Sequence, residues 1–233
     1  MKQILNGLWT FETLQVGRVY AIQDDDGLTL IDTGLASAAA KIIKELKTIN
    51  REPTDVKRII ITHAHVDHIG GLPKLKALTG AQILCGQREK PYIEASQRMP
   101  FAPRKDLKGL MKILQSKPRQ MVGTPVDEVL RSWESLPMVM GGLQVIDTPG
   151  HSPGAISLWQ PHWKLLFCGD VMMNTPKLRL PFAPFTFDMR ENIRSLQRLS
   201  ELEPSLICFG HGQPLLADSA RQLRSFTRAV QAK

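Results

Sequence analysis

Apolar positions along this chain follow two periods, and stretches of one period alternate with stretches of the other. Short runs rich in β-branched residues read as strands, and apolar residues spaced three and four apart read as helices. Residues 16–22 and 28–31 predict two strands joined by a turn at Asp24-Asp25-Asp26-Gly27. That acidic triplet is better placed to make a hairpin turn than to bind a cation. Residues 37–50 carry Ile42, Ile43, Leu46 and Ile49 at helical spacing, with Ser37 as the expected N-cap and Pro53 beyond the end. The unbroken run Ile59-Ile60-Ile61 predicts a strand, and Leu72, Leu75 and Leu78 give the stripe of a helix that stops near Gly80. Another strand is expected over 81–85.

Between about 87 and 137 the pattern changes. Charges and prolines mix with helical apolar spacing at Leu107, Leu110, Met111 and Leu114, then at Val126, Val129, Leu130 and Trp133. This reads as a helical insertion in an otherwise single domain spanning 1–233. Long connections beside a site often wall it, so a lid over a cleft is expected. Strands return at 143–146, 155–159, 164–168 and 205–209. A helix over 188–202 has Asp188 and Glu191 in a variant of the capping box, and Ile193, Leu196 and Leu199 form its stripe. The last helix, over 217–230, is basic outside and turns Leu223, Phe226 and Val230 inward.

Composition changes this picture little. The 233 residues are 42% hydrophobic, as expected of a chain that buries a core. The net charge of +8 comes from dispersed Lys and Arg without interleaved aromatics, so it reads as a solvated surface, and no nucleic-acid partner is expected. Cys85, Cys168 and Cys208 are odd in number and form no CxxC pair, which argues against a disulfide framework and against a thiolate zinc site. No signal-peptide pattern and no membrane-length apolar stretch is found, so a reducing cytoplasm and no membrane contact are expected.

The chemistry concentrates at strand ends. The run into Thr62-His63-Ala64-His65-Val66-Asp67-His68-Ile69-Gly70-Gly71 puts three imidazoles and a carboxylate into six residues. On extended backbone His63 and His65 share a face and can hold one metal; Asp67 and His68 fall where the helix starts and can face a second. Imidazole and carboxylate suit zinc first, with iron, cobalt or manganese as alternatives. The same design recurs elsewhere: an apolar strand, a glycine-containing loop, and a ligand-type side chain. Asp170 and His211 are the cases, and His151 lies on a comparable loop between Pro149-Gly150 and Pro153-Gly154. Five of the six histidines fall in this set, and His162 is left without a role. Asp32, at the end of an earlier strand and next to Thr33-Gly34, is either a turn device or a group that hydrogen-bonds a ligand from behind.

Taken in order, Asp32, the box from His63 to His68, His151, Asp170 and His211 resemble the metallo-β-lactamase superfamily, in its glyoxalase II-like and lactonase-like branch. The resemblance spans most of the chain. It implies an α/β fold, an αββα sandwich of two mixed β-sheets flanked by helices. It also implies two divalent metal ions, one held by His63, His65 and His151, the other by Asp67, His68 and His211, with Asp170 bridging. Two dications about 3.5–4 Å apart can share a hydroxide, because coordination lowers the pKa of water toward about 7. That hydroxide would attack the carbonyl of an ester, thioester or lactone, and Asp67 would orient it or take its proton.

The expected substrate is a small acyl compound. Asp170 speaks against the true β-lactamases of the superfamily. Only about twenty residues follow His211, so the helical C-terminal domain of glyoxalase II is expected to be absent or reduced. Lactonases often place Tyr after the bridging Asp, where this chain has Val171-Met172-Met173-Asn174. The apolar stretch 175–185 either packs under helices or lines an acyl pocket. A phosphodiesterase or nuclease, and a low-turnover binding protein, are the alternatives; a homodimer is left open.

Overall fold

The computed structural model describes the whole chain except residues 15, 104–106, 108, 111–112, 114–121 and 233. Two sheets lie face to face. The first has seven strands in chain order: β1 (Lys2–Leu5), β2 (Leu8–Thr10), β3 (Tyr20–Asp24), β4 (Gly27–Ile31), β5 (Val56–Ile61), β6 (Gln82–Gly86) and β7 (Glu128–Leu130). It is antiparallel from β1 to β4 and parallel from β4 to β7. The second runs β14 (Leu206–Cys208), β11 (Leu165–Phe167), β10 (Ile156–Gln160), β9 (Leu143–Asp147), β8 (Ser135–Leu136). It too is mixed, because β11 and β14 are parallel. A two-stranded ribbon, β12 (Met173–Asn174) with β13 (Leu178–Arg179), stands apart.

The side-chain period of two distributes the core. On β5, Ile59 and Ile61 face α1 (Ala38–Leu46) and α3 (Leu72–Thr79), through Ile42, Leu46, Leu72 and Leu75. Ile60, between them, faces the second sheet and meets a layer built by Leu143, Val145, Leu158 and Phe167. On β11, Leu165 and Phe167 join that middle layer while Leu166 turns the other way, toward Leu196, Leu199 and Leu223. Those three come from α5 (Met189–Glu201) and α6 (Ser219–Gln231). Strands buried on both faces are why the sequence shows unbroken apolar runs there rather than alternation. The result is the αββα sandwich, with three apolar layers between four layers of secondary structure.

Several expectations need correction. The strand expected from residue 16 begins at Tyr20, because Gly17 has φ +72° and Arg18 turns away to donate from its backbone N–H to Gly210 O, 2.7 Å. Ser37 occupies the helix-start position but makes no side-chain cap. The insertion is not helical throughout: besides α4 (Lys90–Ile93) and the helical residues Leu110 and Ile113, it contains β7 and β8. Val129 and Leu130 extend the first sheet by pairing with β6, and Trp133 sits at φ +64°, 64% exposed, in the turn that follows. Spacing alone could not separate a short buried strand from one helical turn. Met111 and Leu114 lie outside the described residues. The β1–β2 hairpin lies within residues 1–34, where the sequence reads as strands with turns, ahead of the two strands delimited there.

Candidate metal centre

Every candidate ligand follows the end of a strand. His63 and His65 leave β5; Asp67 and His68 lie on the one-turn α2 (Val66–Ile69); His151 follows β9, Asp170 follows β11 and His211 follows β14. Loops that diverge from parallel neighbours open a crevice at those ends. The crevice gathers all seven. His63, His65 and His151 form one group, Asp67, His68 and His211 another, and Asp170 groups with His63 and His68 between them. Within each group the ligand atoms lie within 4.8 Å of one another. Asp170 spans both groups: its Oδ2 is 3.5 Å from His151 Nε2 and 3.2 Å from His211 Nε2, and its Oδ1 is 3.7 Å from His68 Nε2. Asp67 Oδ2 is 3.2 Å from His211 Nε2.

Four of the inward-facing atoms, His63 Nε2, His65 Nε2, His151 Nε2 and Asp170 Oδ1, are buried without any hydrogen-bond partner. Unpaired buried polar atoms are costly, so four aimed into one space fit a divalent cation that would satisfy them. The donors are imidazole and carboxylate, suited to a borderline metal. Burial, reinforced by His68, His151 and the other imidazoles, holds His63 well below the usual histidine range. Burial does the same to His65 and brings His151 down to about 4. Such imidazoles are neutral and ready to ligate. Burial would also depress His68 and His211, but it is outweighed by Asp170 and its fellow carboxylates, which raise them to about 9 and about 10. Burial opposes ionisation of Asp170, yet His68 and His211 bring it down to about 2, and Asp67 is lowered by the same partners.

The rings are held from behind. Asp32 Oδ2 lies 2.8 Å from His68 Nδ1, and its two oxygens accept from the Thr62 backbone N–H and hydroxyl at 2.8 Å each. Asp32 has φ +61°, a left-handed conformation that Asp tolerates better than most residues. Thr62 Oγ1 is 3.1 Å from His63 Nδ1, and Thr186 Oγ1 is 3.2 Å from His151 Nδ1. These contacts leave each Nε2 facing inward.

The superfamily profile described as metallo-beta-lactamase matches residues 13–211, most of the chain. The chain belongs to the metallo-beta-lactamase superfamily. Within that superfamily it is 30% identical over 226 residues to the probable metallo-hydrolase YflN of Bacillus subtilis, covering 90% of this chain and 85% of the relative. It is 25% identical over 203 residues to a hydroxyacylglutathione hydrolase of Cereibacter sphaeroides, covering 85% of this chain and 66% of the relative. Among solved structures, a metallo-beta-lactamase family protein from Thermus thermophilus superposes with TM-score 0.72 at 21% identity, over 99% of this chain and 81% of that one. That likeness concerns the fold.

Three residues of this superfamily member escaped the sequence reading. Glu89 is fully buried; it accepts from Ala64 N–H (2.7 Å), Ser152 Oγ (2.6 Å) and Gly154 N–H (2.8 Å), and so ties the His63–His65 loop to the His151 loop. Arg18 Nε donates to Gly212 O, 2.9 Å, beside His211. Thr186 is the third. None carries a motif; Glu89 stands in the run Gln87-Arg88-Glu89-Lys90, which reads as solvated surface.

A cavity of about 680 Å³ opens from the ligands. Residues 92–101 of the insertion contribute to its wall, Tyr92, Met99 and Phe101 among them. The stretch 175–185 divides its roles: Leu178 and Leu180 pack on the outer core, while Phe182 and Phe185 line the cavity. The insertion and this stretch thus meet, with the Phe101 and Phe185 ring centroids 5.4 Å apart.

Proposed function

We propose that this superfamily metallo-hydrolase cleaves the acyl bond of a carboxylic ester, thioester or lactone. The observation that carries the reading is the set of four buried, unpartnered ligand atoms converging beside Asp67, His68 and His211 at the floor of a largely apolar cavity. His63, His65 and His151 would hold one divalent ion, Asp67, His68 and His211 a second, and Asp170 would serve both; zinc is the first expectation. When bound, such ions supply an activated water and polarise a carbonyl. Asp170 would offset the repulsion between two such dications. Asp67, at the open side of the second group with its side chain 22% exposed, would orient the attacking water or take up its proton. Relatives named hydroxyacylglutathione hydrolase, whose named substrate is an acyl derivative of a thiol, support the thioester option.

The test is a panel of p-nitrophenyl esters, lactones, S-lactoylglutathione and bis-p-nitrophenyl phosphate, with metal analysis of protein purified without chelator. Two equivalents of metal and acyl turnover that is lost on chelation are expected. Asp170→Asn should lower the metal content toward one equivalent. Asp67→Asn should retain more metal while losing about 10²–10⁴-fold in kcat. Turnover of the phosphodiester alone would overturn the acyl assignment, and a single equivalent that added zinc or manganese does not raise would overturn the two-ion assignment.

A further inference from the structure

Three aromatic rings run outward from the ligand cluster. The Phe101 ring lies edge-on to His65 at 5.4 Å, Phe185 follows at 5.4 Å from Phe101, and Phe182 at 5.6 Å from Phe185. Met173, on β12 just beyond Asp170, also lines this cavity and adds adaptable apolar surface. Elsewhere the lining is mixed: Val16, Leu35 and Val66 contribute apolar surface, while Ser96, Gln97 and Arg98 form an exposed polar stretch of the rim. The cavity therefore offers a continuous apolar track that starts at a candidate ligand, together with a hydrated rim.

We propose that this track seats the acyl chain of the substrate and selects for acyl groups longer than acetyl, while the leaving alcohol or thiol faces the polar part of the rim. The inference rests on the acyl-hydrolase reading and specifies its substrate. In the reaction, water adds to the carbonyl carbon, the C–O or C–S bond breaks, and the leaving atom takes up the proton that the water gives up. The departing group is the half that must be rehydrated, which suits the rim; the acyl chain gains by staying out of water. Each methylene buried against the rings should strengthen binding by up to about fourfold, equivalent to about 0.8 kcal/mol.

The experiment compares two ester series on metal-loaded protein. One lengthens the acyl group (p-nitrophenyl acetate, butyrate, hexanoate, octanoate), and the other lengthens only the alcohol (ethyl, butyl and hexyl acetate). kcat/KM should rise along the first by about two- to fourfold per methylene and stay nearly flat along the second. Phe101→Ala and Phe185→Ala should each cut the octanoate-to-acetate ratio about tenfold, with circular dichroism confirming that the fold is kept. Phe185→Trp, which fills the track, should move the optimum to shorter chains. A flat acyl series, a slope confined to the alcohol series, or a ratio unchanged in both alanine variants would overturn the inference. Calorimetric titration with octanoate and acetate separates this inference from the functional reading beneath it. If no ester, thioester or lactone is turned over, the hydrolase reading fails; octanoate binding at least tenfold tighter than acetate and weakened by Phe185→Ala would still support the track. Equal binding would overturn it.

Discussion

At the scale of single residues, the cluster depends on two groups that ligate nothing. Glu89 is a buried carboxylate whose two oxygens serve three donors from two separate loops. Glu89→Gln keeps the shape, but its amide can retain only one acceptor oxygen, so an N–H group is turned either on Ala64 or on Ser152 and Gly154. A loss of about 2–3 kcal/mol in urea unfolding is expected. The pH dependence has a definite sign. Burial raises the Glu89 pKa above the ordinary carboxylate value, and the three hydrogen bonds pull it back only in part. A raised folded-state pKa contributes stability that is fully present below the unfolded value and is lost as pH rises through the folded one. The advantage of wild type over Glu89→Gln should therefore shrink as pH rises from the ordinary carboxylate range toward neutrality. Gly210 is the second group. A Cβ there would collide with Asp170 Oδ1 and stand 2.9 Å from His68 Cε1. Gly210→Ala should leave the circular dichroism spectrum nearly unchanged but lower metal retention by at least about tenfold, as disturbed ligand geometry does. Equal retention by dialysis against a competing chelator would contradict the close approach.

At the scale of elements, helices and strands position the histidines through their ends. Asp188 caps α5 by accepting from the N–H groups of Arg190 and Glu191, 2.9 and 3.0 Å. The same turn donates backbone N–H groups to the His151 loop, from Phe187 to His151 O and from Asp188 to Gly150 O, at 3.0 and 2.8 Å. Asp188→Ala should cost about 1 kcal/mol and lower Tm by about 2–4 °C in a chain of this size. A drop of metal affinity in the same variant would show that the cap steadies His151. This helix was legible in the sequence, since its cap and its stripe at Leu196 and Leu199 agree. The ligand loops were legible for a similar reason: histidines crowded at strand ends serve no packing need, and Asp32 follows its strand directly. Glu89 and Arg18 were not legible, because a charged side chain reveals its burial only once distant loops close over it. The 126–133 segment misled because three residues of edge strand and one helical turn place apolar side chains at the same spacing, and only the free edge of β6 decides between them.

At the scale of the molecule, the three apolar layers each contain one cysteine. Cys85 lies under α1 and α3, Cys208 between the two sheets, and Cys168 under α5 and α6. All three are free and essentially without solvent exposure. Burial pushes the Cys85 thiol up to about 12, with Glu89 adding to the effect, and burial likewise raises Cys168 and Cys208. Since the thiolate is the reactive form, none should react with a disulfide reagent at pH 8 while the fold is closed. The thiols then report separately on how the layers open. Cys85 and Cys168 become accessible when a helix layer lifts from its sheet, a sub-global event that leaves most backbone pairing intact. Cys208 requires the sheets to part, which exposes both inner faces at once and approaches global unfolding in cost. Pulse labelling in sub-denaturing urea, read by mass spectrometry of cysteine-containing peptides, should find Cys208 the slowest of the three. Its urea dependence should match that of global unfolding, because the protecting free energy falls with denaturant in proportion to the surface exposed. Identical rates and slopes at all three positions would mean instead that the four layers open only together.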